Sequence, residues 1–209
     1  MSSDAKLKIS FVGDSGVGKS CIVARLRDNS FNDNSKPTIG MDRLESSKDT
    51  PNYKKVQFLI WDSSGLERFR GMFPFYYKGA KAILIVFDTS NKFSFQSLDK
   101  YRDEINSFTN LESLIYVCGN KRDKVSERDV PPRDVIEDLV RKMKIKRYFE
   151  VSAMENANKE IEKMFLQILD DVMEVDEWKK RESPLDGIKL HEQNALMKNQ
   201  NNDSSKGCV

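Results

Sequence analysis

The chain is poor in the residues that build metal centres and disulfide frameworks. It has one histidine, His191, and three cysteines, Cys21, Cys118 and Cys208, in 209 residues. Three scattered thiols do not make a disulfide-stapled scaffold, and no Cys or His spacing suits zinc. Cys21 and Cys118 fall in expected helix and strand, where a reduced, buried thiol is the ordinary reading. Charge of one sign is also lacking: the net charge is +2, with 33% charged residues. That balance gives no electrostatic support for nucleic-acid binding. A run of about 18 apolar residues is absent, as is a secretory leader. The expectation is a cytoplasmic monomer whose membrane contact, where it has any, is peripheral.

What is present is alternation. Lys6 to Val12 reads as a strand and Lys19 to Asp28 as a helix. Lys54 to Trp61 alternates as a two-faced strand, and Ala82 to Phe87 is continuously apolar, as a central parallel strand is. Phe95 to Phe108 and Asp134 to Lys142 read as helices, Ser113 to Gly119 and Tyr148 to Val151 as strands. Ile161, Met164, Phe165, Ile168, Leu169 and Val172 form the apolar stripe of a last helix. Polar Arg43 to Thr50 is expected to be an antiparallel edge strand. The pattern predicts an α/β class with a mostly parallel sheet between helices, its ligand beyond the carboxyl ends of the strands. From Asp176 onward apolar residues thin out and charges cancel, so a domain over 1–175 and a flexible tail over 176–209 are expected.

The strongest local signal is Gly13-Asp14-Ser15-Gly16-Val17-Gly18-Lys19-Ser20 between the first strand and the first helix. A glycine-rich turn there aims backbone N–H groups and a helix dipole at one point. Lys19 adds a full charge and Ser20 a hydroxyl for Mg²⁺, which makes a receptacle for β- and γ-phosphates. Asp62, ending a strand in Trp61-Asp62-Ser63-Ser64-Gly65, can hold Mg²⁺ through a water, and Gly65 can bring an N–H to a γ-phosphate. Thr38, in a polar loop ending Lys36-Pro37-Thr38-Ile39-Gly40, can close on the metal and the γ-phosphate.

Asn120-Lys121-Arg122-Asp123 follows a strand at the same end of the sheet. The Asp123 carboxylate can accept two N–H groups from guanine, and adenine offers no such pair. Lys121 can cover a face of the base, and Asn120 can tie this turn to the phosphate loop. Ser152 and Ala153 follow the last strand, where the Ala153 N–H can meet guanine O6. Phe31 can pack edge-on against the base or make a simple core contact. An ATP-using P-loop kinase is the competing class, which Asp123 opposes.

The ordered set GDSGVGKS, PTIG, WDSSG, NKRD and VSA resembles the Ras superfamily of small GTPases over about Lys6 to Val172. Thr38-Ile39-Gly40, Trp61-Asp62, Glu67-Arg68-Phe69-Arg70 and Tyr76-Tyr77-Lys78-Gly79-Ala80 resemble its Rab branch. The resemblance implies a P-loop three-layer fold, a mixed six-stranded sheet flanked by about five helices. It implies a switch that binds GTP or GDP with Mg²⁺ and controls vesicle traffic. Effectors, an exchange factor and a GTPase-activating protein would read the loops around Thr38 and Gly65. The implied nucleotide site is Ser15, Gly16, Val17, Gly18, Lys19, Ser20, Cys21, Phe31, Thr38, Gly65, Asn120, Lys121, Asp123, Ser152 and Ala153. Ser20 and Thr38 would ligate the metal, with Asp62 outside them. Lys19, Thr38, Gly65 and Leu66 would stand at the reacting phosphate.

Departures from that family pattern carry their own expectations. Leu66 stands where the family places a glutamine that orients the attacking water, so hydrolysis is expected to be slow. A GTP-locked scaffold without catalysis is the alternative. Arg43 stands where a phenylalanine usually joins Trp61 and Tyr76 in an apolar effector patch. The ending Lys206-Gly207-Cys208-Val209 is neither a double-cysteine ending nor C-a-a-X, which leaves lipidation of Cys208 open and a single-lipid anchor weak. The basic run Arg141 to Arg147 reads as a solvated helix end.

Overall fold

A computed structural model describes residues 5–32, 38, 41–49, 55–63, 76–108, 113–155 and 159–182. Six strands form one sheet: β1 Ala5–Val12, β2 Met41–Lys48, β3 Val56–Ser63, β4 Ala82–Asp88, β5 Leu114–Asn120 and β6 Arg147–Glu150. Their order is β2-β3-β1-β4-β5-β6. Every neighbouring pair is parallel except β2 with β3, whose antiparallel register sets Arg43 opposite Trp61. This is the Ras-like P-loop arrangement, with the expected polar edge strand in place. β1 lies between β3 and β4, with β2 and β3 laid down on one side of it and β4, β5 and β6 on the other. The end of β1 is therefore the switch point where such sheets bind ligands.

The helices among the described residues are α1 Lys19–Asp28, α2 Lys92–Gln96, α3 Leu98–Phe108, α4 Arg133–Lys142 and α5 Glu160–Glu182. On one face of the sheet, Val12, Ile83, Ile85 and Phe87 pack with Leu98, Tyr101 and Ile105 of α3 and Ile136 and Val140 of α4. On the other, the Phe165 ring of α5 stacks on Phe11 at 6.0 Å and meets Phe58 edge-on at 5.4 Å. Burying one such ring stabilises the fold by about 2 kcal/mol. All seven residues of β4 are buried, as its unbroken apolar sequence requires of a strand covered on both sides. The described residues up to 169 form one compact unit, and those from 170 to 182 belong to a second.

Most boundaries shift by one or two residues, and two differ by more. The helix predicted over Phe95 to Phe108 is two helices that begin earlier, because the Asn91 side chain caps α2 by accepting from Phe93 N at 3.0 Å. The last helix runs through Glu182, past Asp176. Glu, Lys and Arg at 177–182 are good helix formers, so loss of apolar periodicity there does not end the helix. No helix among the described residues is long and apolar enough to cross a membrane.

Candidate functional site

The phosphate loop begins where β1 ends. Gly13 has φ 141°, and a Cβ there would strike the Val86 carbonyl of β4, so only glycine lets the loop lie on the sheet. Gly18 precedes α1 at φ 91°, and no side chain caps the helix. The positive end of the α1 dipole thus faces the loop, where an anion is favoured. Ser15, Gly16 and Val17 make the turn between, and half-buried Cys21 lies in the first turn of α1.

Lys19 is 5% exposed, and its Nζ donates to the Gly13 and Asp14 carbonyls at 2.8 Å each. Burial lowers its pKa to about 8, against the pull of the Asp62 and Asp14 charges. A buried ammonium held by two carbonyls is well placed to compensate a polyanion.

Ser20, Thr38 and Asp62 converge from α1, the loop before β2, and β3. Ser20 Oγ and Thr38 Oγ1 lie 2.8 Å apart, and Ser20 Oγ donates to Asp62 Oδ2. Asp62 is 1% exposed, its other carboxylate oxygen has no hydrogen-bond partner among the described residues, and desolvation raises its pKa. An orphaned buried carboxylate oxygen beside two hydroxyls is a hard, oxygen-rich donor set. It fits Mg²⁺ held directly by the hydroxyls with the carboxylate behind a water.

The turn at 120–123, expected to read a base, sits beyond β5. Asn120, 2% exposed, donates from Nδ2 to the Val17 carbonyl at 2.9 Å, joining this turn to the phosphate loop. Its Oδ1 accepts the Ala153 N–H at 3.1 Å. The expected contact of the Ala153 N–H is with guanine O6; here that N–H donates to the amide that joins the two turns. Ser152 Oγ donates to Asp123 Oδ1, which orients the carboxylate. Lys121 takes φ 62°, and its Nζ is 2.8 Å from Asp88 Oδ2. Thr89 Oγ1 holds the Lys121 carbonyl at 3.1 Å.

Phe31 is only half buried, and its ring lies beside the Arg25 guanidinium at 5.8 Å, so it is not a simple core contact. Arg25 was not singled out from the sequence. Its Nε donates to Ala153 O at 2.9 Å and its Nη2 to Met154 O at 2.8 Å, so α1 braces the loop after β6. An arginine in the last turn of a helix carries no sequence mark of such a reach. Asp14, Ser97 and Tyr101, hydrogen-bonded to one another, were missed for the same reason.

The effector patch implied by resemblance takes a different form. Tyr76 is fully buried, its hydroxyl accepting from Phe11 N at 2.8 Å and donating to the Phe11 carbonyl. Trp61 meets the Tyr76 ring edge-on at 6.4 Å and carries Lys8 Nζ over its face at 4.4 Å. Arg43 pairs with Glu45 at 2.6 Å. The exposed strip of β2 and β3 is charged because Arg43 and Glu45 share one face. Gly65, Leu66 and Cys208 lie outside the described residues.

The sequence matches the Ras family over residues 8–174. It is 36% identical over 171 residues to Ras-related protein Rab-10 of Diplobatis ommata, covering 82% of this chain and 83% of that protein. It is 33% identical over 172 residues to Ras-related protein Rab11A of Lotus japonicus, covering 82% and 74%. Ras-related protein Rab-12 of Homo sapiens is 29% identical over 195 residues, covering 93% and 75%.

Proposed function

Because the chain belongs to the Ras family of small GTPases, we propose that it is a Rab-type switch that binds GTP and GDP with Mg²⁺ and regulates membrane traffic through effectors. The observation that carries this is the meeting of three groups at one end of the sheet. Lys19 and the uncapped α1 N-terminus receive phosphates, Ser20, Thr38 and Asp62 offer oxygens to a cation, and Asp123 waits for a base. Asn120 spans the two ends and fixes their separation.

In this reading Asp123 accepts guanine N1–H and the 2-amino group, and a mispaired base leaves a desolvated acceptor. Bound Mg²⁺ neutralises charge on the β- and γ-phosphates. The segments around Thr38 and Gly65 hold one arrangement while the γ-phosphate is present and relax when it leaves. Effectors, an exchange factor and an activating protein read those two arrangements. The site set includes Ser15, Gly16, Val17, Gly18 and Cys21 along the phosphates and Phe31 near the base.

Leu66 sets the pace of hydrolysis. Leucine neither donates nor accepts a hydrogen bond, so the chain lacks the side chain that would orient the attacking water. The GTP state is long-lived unless an activating partner supplies that group. The same residue favours a second reading, a GTP-locked scaffold.

Single-turnover hydrolysis of γ-labelled GTP by the wild type and Leu66→Gln tests the reading. The glutamine variant is expected to be at least about tenfold faster. Equal rates would remove the argument from Leu66. A wild-type chain that never exchanges nucleotide, even with a chelator, would favour the scaffold.

A further inference from the structure

Asp14 belongs to the phosphate loop, yet its carboxylate is held by a helix far away in sequence. Ser97 Oγ donates to Asp14 Oδ2 at 2.9 Å, and Tyr101 OH donates to Asp14 Oδ1 at 2.8 Å. Ser97 joins α2 to α3, and Tyr101 lies one turn further along α3. Their spacing of four puts both hydroxyls on one face of the helical run. Each carboxylate oxygen receives one donor, and the pair holds the side chain against α3.

The main chain of the same residue faces the opposite task. The Asp14 carbonyl accepts Lys19 Nζ at 2.8 Å, and the lysine of such a loop reaches the β- and γ-phosphates. Asp14 therefore borders the most negative part of the expected ligand, and its charge already acts on Lys19. A carboxylate free to turn there would repel phosphate, and a third phosphate more than two.

We infer that Ser97 and Tyr101 are positioning residues that keep the Asp14 carboxylate on α3 and so set the site's preference between GTP and GDP. The inference rests on the nucleotide-binding function proposed above. The two hydroxyls disperse the carboxylate's charge and fix its direction. Without them the charge is unscreened by protein donors and its rotamer is free. The loop also loses an anchor to α3, which weakens all ligands alike. Only the charge distinguishes two phosphates from three.

The test compares binding of GDP and of a non-hydrolysable GTP analogue to the full chain with Mg²⁺. In Ser97→Ala/Tyr101→Phe, affinity for the GTP analogue should fall about tenfold more than affinity for GDP. Adding Asp14→Asn to that variant should abolish the difference, because the amide keeps the shape and loses the charge. Retained GDP binding in each variant reports that the fold is intact. Equal losses for both nucleotides would overturn the inference, as would a preference that Asp14→Asn leaves unchanged. If the wild type bound neither nucleotide, the proposed function would fall and this inference with it. If it bound both and only the ratio stayed fixed, this inference alone would fall.

Discussion

The Lys121 ammonium lies 2.8 Å from Asp88 Oδ2, tying the turn at 120–123 to the end of β4. Asp88 is fixed in turn by Ser90, whose N–H and hydroxyl reach its Oδ1 at 2.9 and 2.7 Å. Burial works against the Asp88 carboxylate, but these donors and Lys121 overcome it and hold its pKa below the usual range. The lysine stem is thus set before any base arrives.

Asp88→Ala should loosen that stem without removing a nucleotide contact. Lys121 is 31% exposed and regains water, so the effect is that of a partly exposed pair, at most about 1 kcal/mol. Release of fluorescent GDP measured by stopped flow should quicken up to about fivefold.

Asp123→Asn should change which base is read. The amide has one donor and one acceptor, so it opposes the guanine 2-amino group and complements the carbonyl of xanthine. GTP affinity is expected to fall at least about a hundredfold while XTP affinity rises. Competition against labelled GDP measures both, and an unchanged order of affinities would argue against Asp123 as the base reader.

Removal of Mg²⁺ should speed nucleotide release at least about tenfold, because the phosphate charge then loses the cation that neutralises and tethers it. Asp62→Ala should release nucleotide quickly with or without the metal. Release rates in Mg²⁺ and in chelator, compared across the two proteins, give the result.

Glu150 makes stability sensitive to acid. Its side chain is 7% exposed, with Arg128 Nη1 at 2.7 Å and Tyr148 OH donating at 2.6 Å. Burial alone would raise its pKa, but these donors lower it. A carboxylate whose folded pKa is depressed adds stability above its unfolded value, about 4.3, and loses that part as pH falls through the folded value. Glu150→Gln should therefore be about 1–2 kcal/mol less stable at neutral pH, a gap that narrows below pH 4. Urea unfolding across pH would trace the gap.

Local pattern made the strands and the phosphate loop readable. Continuous apolarity marked β4 as central, and the glycines of 13–18 follow a strand and precede a helix. The polar edge strand was readable because residues 43–50 lack an apolar face. What was not readable depends on residues brought together only by folding. Ser97 and Tyr101 stand 83 and 87 positions from Asp14, and nothing in their spelling shows a shared partner. The Ala153 N–H is claimed by Asn120 because that amide, once it donates to Val17, must also satisfy its oxygen. Arg25 reads as an ordinary helix arginine until the loop at 153–154 folds back over it.

The close seat of Gly13 against the Val86 carbonyl has a consequence for how the switch lets go of its cargo. The floor under the phosphates is continuous with the middle of the sheet and cannot sink away from them without unpicking buried strands. Departure must come from the sides drawing apart. Under the function proposed above, a protein that ejects the nucleotide would push on the walls carrying Thr38 or the turn at 120–123, and pressure on the central strands would be wasted.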